Sequence, residues 1–496
     1  MARISMSDKQ VASPRELWLV RAAALPIYQS SPITFTNEQR SLLDLPDELL
    51  LFIVSNLQAI RLEQPQSQAF RDKEKESARQ YENYFRRTAL HALSLASKRL
   101  NRLVVPILCS AIIGSTTRYG IVPLRLFWKT ITEKQEMRLH VQYVENLLSD
   151  CLGNDLFHDV SAYGIEDMEF TVDFYVVCEY FEKLAGIIGM CQNIQQISVI
   201  SIESSNFTLW GHLLLPCLEN DRRLVVGHGL PKLKTFAFQI NSKEEYDESD
   251  APSLITILSS LLQCPSLTVL RASGVVGDRS RTIPFRGTFR NLQRFELTEC
   301  TLSHQYVDKA LIPCENLRHF VCHWSYLWCW ISGSTVDLFP NLIRQRQTLE
   351  TLWLVADKAG FDSTNQSDIS CSSLRQLANL KEAKLCNLLI PDKHCRLSAA
   401  AGILPIASEL PPSLEHLTIS YIMQWSNEMF FYPDVWDSLE QLANDCSRCL
   451  PRLKELVVHL EGDRTIGGVK MLTDLFEEKG VRFQLVVELD VLTNLG

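Results

Sequence analysis

A short apolar unit recurs from the middle of the chain to its C-terminal part, and it limits the possible folds more than any other feature. The first, fourth and sixth positions of each copy are apolar, and clear copies begin at Ile194, Leu233, Leu267, Leu292, Leu317, Leu349, Leu380, Leu414 and Leu453. Weaker copies begin at Val144 and Ile165. Successive clear copies start 25 to 39 residues apart, as in repeat proteins whose units bury their apolar faces against neighbouring units. The pattern predicts a stack of parallel strands joined by return segments.

The return segments carry signals of their own. Residues 253–263 and 436–443 have apolar residues at helical spacing, so we expect helices there. Cys191, Cys264 and Cys314 each lie three residues before the start of a copy. Repetition at one place in the unit is typical of small apolar side chains that pack in a core. We therefore expect an α/β fold with parallel strands, helical return segments and a continuous core.

Alternation along each strand directs the third, fifth and seventh positions away from that core. Many side chains are placed there, and those that we select as candidates for binding a partner are Arg294, His319, His323, Trp353 and His416. Aromatic and arginine side chains dominate the binding energy at protein interfaces. An aromatic-rich run, residues 323–330, directly follows one predicted strand, and it either caps the core or forms an exposed anchor.

Composition and charge narrow the class of protein. With 496 residues the chain is longer than one core usually supports, and 46% hydrophobic residues suit a globular interior. The net charge of -9 works against binding nucleic acid or an anionic membrane. We find no secretory signal and no stretch long enough to span a bilayer, and the 15 cysteines are too dilute for a disulfide scaffold. We expect a soluble protein of the cytoplasm, the nucleus or both.

A compact helical motif precedes the repeats. Pro46 suits a first helical turn because its missing N–H needs no partner there, and Asp47 follows it near the positive end of the helix dipole. Leu49, Ile53 and Leu57 then recur every four residues and give the helix one apolar face.

A second amphipathic stretch, residues 90–105, carries an apolar stripe that includes Leu90, Leu93, Leu100 and Val104. Pro106 follows it and is expected to end this helix. Residues 58–88 separate the two halves and are rich in both signs of charge, so they are expected to form a solvated helix or a mobile loop.

The leucine-proline helix followed by Ser97-Lys98-Arg99-Leu100 and Leu103 closely resembles the two halves of an F-box, particularly its fungal form. In that family the motif docks on the Skp adaptor, and through it on the cullin of a ubiquitin ligase. By resemblance, the positions that face the adaptor or form the module are Leu45, Pro46, Leu49, Ile53, Leu57, Leu100 and Leu103. The spacer at residues 58–88 is longer than the family pattern.

The repeats, in turn, are similar to the leucine-rich-repeat region with which many F-box proteins bind the protein to be ubiquitinated. The resemblance implies three parts: an N-terminal extension at residues 1–40, an F-box with a charged insertion at 41–112, and a leucine-rich-repeat domain at 113–496. It implies a substrate-recognition subunit that leads to ubiquitin-dependent degradation of an unnamed client. Two alternatives stay open: a repeat scaffold unrelated to ubiquitin, and an enzyme without a sequence signature.

The sequence contains no known catalytic motif that would support the enzyme alternative. The zinc-protease pattern HExxH, the nucleophile elbow GxSxG and the phosphate-binding pattern GxGxxG are missing from the sequence. The glycine-rich residues 462–470 do not fit a P-loop, because Gly468 follows Gly467 where lysine is required. Cys446 and Cys449 have the spacing of a metal site, but no second pair matches it. We expect no catalytic residue, no cofactor and no metal.

Overall fold

The structure is a computed structural model of the chain. It describes residues 42–62, 73–115, 118–147, 174–202, 214–215, 223–224, 227–241, 254–275, 285, 287–300, 302, 304–324, 340–355, 372–386, 406–421, 435–461 and 469–488. The chain divides into two compact units, Met1–Phe52 and Ile53–Gly496. In the part that the structure describes, no helix is both long and apolar enough to cross a membrane.

The described part of the first unit is a short helical segment. A 3-10 turn at Leu42–Asp44 leads into helix α1, Asp47–Ser55, which continues across the boundary into the second unit. The Leu50 N–H donates to the Pro46 carbonyl at 3.1 Å, so Pro46 lies directly before the first residue of the helix, close to the expected place. Asp47 and Glu48 are both in the first turn, where the helix dipole favours negative charge.

The second unit alternates strands with helices. Its helices are α2 Lys73–Ala96, α3 Lys98–Leu108, α4 Arg118–Glu133, α5 Gln135–Arg138, α6 Phe174–Met190, α7 Leu254–Leu261, α8 His304–Leu311, α9 Pro340–Ile343, α10 Ile406–Glu409, α11 Val435–Cys449 and α12 Val469–Glu478. Its strands are β1 Ala111–Ser115, β2 Tyr143–Leu147, β3 Gln196–Ile202, β4 Leu214–Leu215, β5 Arg223–Leu224, β6 Thr235–Asn241, β7 Val269–Ser273, β8 Arg294–Cys300, β9 His319–Trp324, β10 Thr351–Val355, β11 Glu382–Cys386, β12 His416–Tyr421, β13 Glu455–Glu461 and β14 Arg482–Glu488.

Twelve of these strands form one parallel sheet in chain order, β1-β2-β3-β6-β7-β8-β9-β10-β11-β12-β13-β14, while β4 and β5 form a small antiparallel pair. One side of the sheet packs with the return-segment helices, and a single cluster of buried side chains runs from Ile112 on β1 to Phe483 on β14. Each copy of the repeat therefore shares its core with the neighbouring copies, as the repeat pattern predicts. The predicted α/β, solenoid-like architecture with parallel strands is confirmed.

All nine clear copies of the apolar unit contain a strand of this sheet, and their fourth positions share one register row, from Ile197 to Leu456. The helices predicted at 253–263 and 436–443 are confirmed as α7 and α11. The weak copy at Ile165 lies outside the described residues.

The weak copy at Val144 was placed wrongly along the chain. Val144 pairs with Ile197, so it occupies the fourth position of a copy that begins at Val141. Two further strands, β1 and β14, were missed because their units depart from the full apolar pattern, although Ile112 and Phe483 occupy the matching fourth position.

A polar residue directly before the start of a copy links it to the preceding copy. In five cases the side chain donates to the backbone carbonyl two residues before the previous start, and the pairs are Asn193 to Leu139, Ser266 to Pro231, Asn291 to Pro265, Asn316 to Arg290, and Asn379 to Gln347. Ser413 donates instead to the carbonyl of Leu380, the previous start itself. These bonds satisfy backbone acceptors at the turn that leads into each strand. The pair made by Asn193 independently places the start of the β2 copy at Val141.

The helix predicted over residues 90–105 is divided in two. Ser97 has an extended backbone and its hydroxyl accepts from the Leu100 N–H at 3.1 Å, so it caps the start of α3. Pro106 lies inside α3, which ends at Leu108, so the expected end at Pro106 was wrong. Residues 73–88 of the charged spacer are helical, because they belong to α2, which runs without a break from Lys73 to Ala96, whereas residues 58–62 are an irregular segment.

Candidate functional site

Helix α1 presents apolar side chains to solvent. Leu49 is 50% exposed, Phe52 is 70% exposed and Ile53 is 41% exposed, whereas Leu50 and Val54 are buried. Leu45 is half-buried and Pro46 is exposed. Leu51 is exposed as well, and four large apolar residues exposed within five positions of one helix are unusual for a surface that contacts only water.

A small apolar cluster joins the end of the first half of the predicted module to its second half. Val54, Leu90 and Val104 form its buried centre, and Leu57 packs against them. Leu100 and Leu103 are also buried, 3% and 8% exposed. The last two residues therefore stabilise helix packing in this chain, and the exposed predicted positions are Pro46, Leu49 and Ile53.

The charged insertion contacts the sheet through a buried ion pair. Arg79 on α2 makes two hydrogen bonds to the Glu145 carboxylate on β2, at 2.5 and 3.1 Å, and Gln80 adds another at 3.1 Å. The Tyr143 hydroxyl donates to the same carboxylate at 2.6 Å. The Glu145 side chain is 3% exposed and that of Arg79 is 11% exposed, so the pair is largely shielded from water.

The segment at residues 58–62 runs between α2 and the sheet and is fixed on both sides. Asn83 on α2 accepts from the Ile60 N–H at 2.7 Å and donates to the Ile60 carbonyl at 3.0 Å. On the sheet side, the Leu62 N–H donates to the Tyr143 hydroxyl at 3.0 Å, and the Gln196 side chain donates to the Leu62 carbonyl at 2.9 Å. We call these contacts of α2 and residues 58–62 with β2 and β3 the α2–β2 junction.

Burial in this junction changes the acid chemistry of its tyrosine. The pKa of Tyr143 is raised well above its usual value, first because the ring is buried and second because the Glu145 carboxylate lies beside it. Tyr143 is therefore a neutral donor in the physiological range, which suits its bond to Glu145.

The side of the sheet opposite the core carries the third, fifth and seventh positions of the copies, and we call it the open face. In its first register row, Arg294, His319, Thr351, Glu382, His416, Glu455 and Arg482 lie side by side on β8 to β14. The second row includes Arg271, Glu296, Val321, Trp353, Lys384, Thr418 and Val457. These rows alternate with the row of buried fourth positions, which confirms that the third and fifth positions point away from the core.

The candidate residues for binding a partner lie on this face but differ in exposure. His416 is exposed, and Arg294, His319 and Trp353 are half-buried, whereas His323 is 7% exposed. Burial of His323 removes most of its side chain from the accessible surface. The sequence could not predict this difference in exposure, because it depends on neighbours contributed by other strands.

Hydrogen bonds between neighbouring strands orient the more exposed candidates. The Trp353 indole donates to Glu382 at 3.0 Å, and the His416 ring contacts Glu455 at 3.1 Å. Arg482 on β14 pairs with the same Glu455. Lys384, half-buried on β11 beside Trp353, was missed among the candidates although its position five of the Leu380 copy marks it for this face.

The aromatic run at residues 323–330 is described as far as Trp324. That residue is 3% exposed, and its indole donates to the Leu302 carbonyl at 2.8 Å, so it belongs to the core. Trp328 and Trp330 lie outside the described residues.

The cysteines before three of the copies pack in the core as expected. Cys191, Cys264 and Cys314 are buried, and burial raises the pKa of each to about 12. Cys446 is buried too, and its thiol donates to the Ala443 carbonyl. Within the described ranges no group of three or more His, Cys, Asp or Glu side chains is arranged to hold a metal ion.

A scan against models of known protein families gives no match for this chain, and a search of curated proteins gives no relative.

Proposed function

We propose that this chain is the substrate-recognition subunit of a Skp-cullin-F-box ubiquitin ligase. In this proposal helices α1 to α3 are an F-box and the parallel sheet is a leucine-rich-repeat region. The exposed apolar residues of α1, Leu49, Phe52 and Ile53, are the observation that carries it. They lie in the segment whose sequence resembles the adaptor-docking half of an F-box.

The occupant of the α1 surface would be the Skp adaptor. An amphipathic helix binds a partner by placing its apolar face in a hydrophobic groove, and α1 keeps its apolar residues exposed in the chain alone. Leu100 and Leu103 would contribute indirectly, because they are buried and stabilise the helices that form the module.

The client would bind on the open face. Trp353 and His416 are accessible there on β10 and β12, and Arg294 and His319 lie in the same register rows on β8 and β9. A half-exposed tryptophan with a satisfied indole N–H is a suitable anchor, because the ring can lose contact with water without leaving a polar group unpaired.

No bond is made or broken by the chain in this mechanism. A subunit that binds the adaptor and the client together raises the local concentration of the client near the ubiquitin-charged enzyme, as linked binding modules do. The proposal therefore includes no catalytic residue, cofactor or metal, and neither nucleic acid nor membrane as partner.

The first test is binding of a purified Skp adaptor to the full chain, compared with Leu49→Glu and Ile53→Glu. Both residues are exposed, so we expect the variants to fold, while a carboxylate in the apolar contact should weaken binding by about 30-fold or more, the scale of an interface hot spot. Leu126→Glu on α4 is the matched control, because Leu126 is 62% exposed and lies outside the module.

Adaptor binding by the control together with loss in both α1 variants would support the F-box. Failure of the unaltered chain to bind any Skp adaptor, or equal binding by all variants, would contradict it. Capture of a protein by the open face in the absence of adaptor binding would instead favour a repeat scaffold unrelated to ubiquitin.

A further inference from the structure

Two arginines share one carboxylate on the open face of strands β7 and β8. The Arg271 Nε atom lies 2.8 Å from Oε2 of Glu296, its register neighbour, and Arg294 pairs with the other oxygen of the same carboxylate. The three side chains carry a net charge of +1. Those of Arg271 and Glu296 are 5% and 3% exposed, so most of this charge is shielded from water.

Arg271 is not satisfied by its single acidic neighbour. Its Nε and Nη2 atoms are both buried and have no hydrogen-bond partner in the described part of the chain, so the contact of Nε with Glu296 is an ion pair without hydrogen-bond geometry. A buried guanidinium usually has its donors occupied, because an unpaired buried charge costs several kcal/mol. The α2–β2 junction shows the contrast, since there one guanidinium meets one carboxylate in a two-bond contact and the charges cancel.

Two acidic side chains that act on His319, the register neighbour of Arg294, are engaged elsewhere. Glu350 pairs with Lys381 at 3.1 Å, and Glu382 accepts from the Trp353 indole at 3.0 Å. Burial lowers the pKa of Arg271, while Glu296 raises it and Arg294 lowers it again. Among the described groups that act on Arg271, one carboxylate, that of Glu296, is thus shared with a second guanidinium, that of Arg294.

We propose that Arg271, Arg294 and Glu296 form a binding site for an oxyanion, a carboxylate or a phosphate group, on the open face of the sheet. Arg271 provides the buried donor, and Arg294, 21% exposed, is the more accessible of the two arginines. Guanidinium groups suit this role because their planar donors match the oxygens of both anions. Glu296 holds the two arginines in place and leaves one positive charge for the ligand.

The test is thermal unfolding of the full chain in chloride, acetate and phosphate at equal ionic strength. An anion that binds the folded state at roughly ten times its Kd should raise the unfolding midpoint by about 1 to 4 °C. Phosphate also stabilises proteins by exclusion from their surfaces, so the informative quantity is the difference between the unaltered chain and Arg271→Met. A rise with acetate identifies a carboxylate as the ligand group, and a rise with phosphate alone identifies a phosphate.

Three variants give different expected results. Arg271→Met should lose the anion-specific rise while keeping or raising the midpoint in chloride, because it removes an unpaired buried cation. Glu296→Gln should lower the midpoint in chloride and enlarge the rise with oxyanion. Arg482→Met, at the exposed end of the same face, should respond as the unaltered chain does.

An equal response of the unaltered chain and Arg271→Met, or no response beyond chloride in any variant, would overturn the site. Because Glu296→Gln is expected to change the response in the opposite direction to Arg271→Met, poor folding of one variant leaves the other as a decisive measurement. The assay contains no adaptor, so its result is independent of the F-box proposal.

Discussion

At strand β2 the open face carries Tyr143 and Glu145, and side chains from α2 and the preceding segment cover both of them. At strand β13 the same two register positions carry Glu455 and Val457, which are half-buried, and Glu455 pairs with residues of the neighbouring strands β12 and β14. One end of the face is thus used for an internal contact, and the other end is accessible to another molecule. The comparison teaches that equivalent positions of a repeat sheet acquire different roles from what the rest of the chain places on them.

The physical difference between the two ends is the surroundings of their charges. Glu145 is enclosed by an arginine, a glutamine and a tyrosine, whereas Glu455 contacts His416 and the exposed Arg482. Burial strengthens the electrostatic attraction in the first case and makes loss of either partner costly. Solvent screens the second.

The largest effect is expected from Glu145→Ala in the α2–β2 junction. The change leaves Arg79 buried without its carboxylate and should lower the free energy of unfolding by about 3–5 kcal/mol. Chemical denaturation of the unaltered chain and the variant measures this loss. The double variant Arg79→Met with Glu145→Leu should recover most of it, and a double variant as unstable as the single one would argue against charge burial as the cause.

A pair of neighbouring residues on β10 tests the assignment of faces. Leu354→Ala should cost about 2–5 kcal/mol, because Leu354 is fully buried in the shared core. Trp353→Ala should cost less, because the indole is half-buried and lies on the open face. Thermal melts of the two variants compare them directly, and a larger loss for Trp353 would mean that this part of the face is packed and not accessible.

Asn83→Ala probes the link between α2 and residues 58–62. The substitution leaves the Ile60 N–H without its side-chain partner in a partly buried place, at an expected cost of about 1–3 kcal/mol, while the Ile60 carbonyl still accepts from Arg79 at 2.9 Å. Hydrogen exchange should show faster exchange of the Ile60 amide, with the amides of β13 unchanged as the internal control. Unaltered exchange at Ile60 would mean that the segment is held mainly by its contacts with Tyr143 and Gln196.

A small effect is expected from Arg482→Ala at the accessible end. The Arg482 side chain is 73% exposed, and surface ion pairs contribute about 0.2–1 kcal/mol. Raising the salt concentration should reduce even this difference in denaturation midpoints. A cost comparable to that of Glu145→Ala would remove the proposed distinction between the two ends.

The weakest expected effect is the pH dependence due to His319. Burial and the nearby Arg294 lower the pKa of His319 below its usual value of 6.5, with Arg318 acting in the same direction and Glu350 and Glu382 opposing it. The unfolded chain therefore binds the proton first as the pH falls, so the stability contribution is present above about pH 6.5 and is lost below it. Unfolding midpoints from about pH 7.5 down to about pH 5.5 should decline less steeply in His319→Gln. An identical slope would exclude this residue as a contributor.

Sequence patterns predicted the sheet well where the apolar positions were complete. The copies from Ile194 to Leu453 fixed which side chains enter the core, because a strand has a period of two and a shift by one residue would expose every apolar position. Strands β1 and β14 lacked that pattern and were missed. The start at Val141 could have been found from Asn193, since the same polar position precedes several other copies.

The candidate site was predicted in outline and differed in detail. The apolar residues of α1 were named from their four-residue spacing, and the exposed positions of β10 and β12 from alternation. Pairing of Arg79 with Glu145 was not predictable, because the two residues are 66 positions apart and no local pattern connects them. Burial of His323 and the incomplete pairing of Arg271 likewise depend on neighbours contributed by other strands.

The sequence by itself determined the spacing of the repeats, the side of each strand that enters the core and the apolar composition of α1, because these follow from local geometry and the spacing of apolar residues. Tertiary structure alone decided that the charged insertion packs on β2 and that two arginines meet one carboxylate on β7 and β8. Those outcomes rest on contacts between distant parts of the chain. There, burial strengthens the electrostatic interactions of a charged group, and the neighbouring strands determine how many hydrogen-bond partners it has.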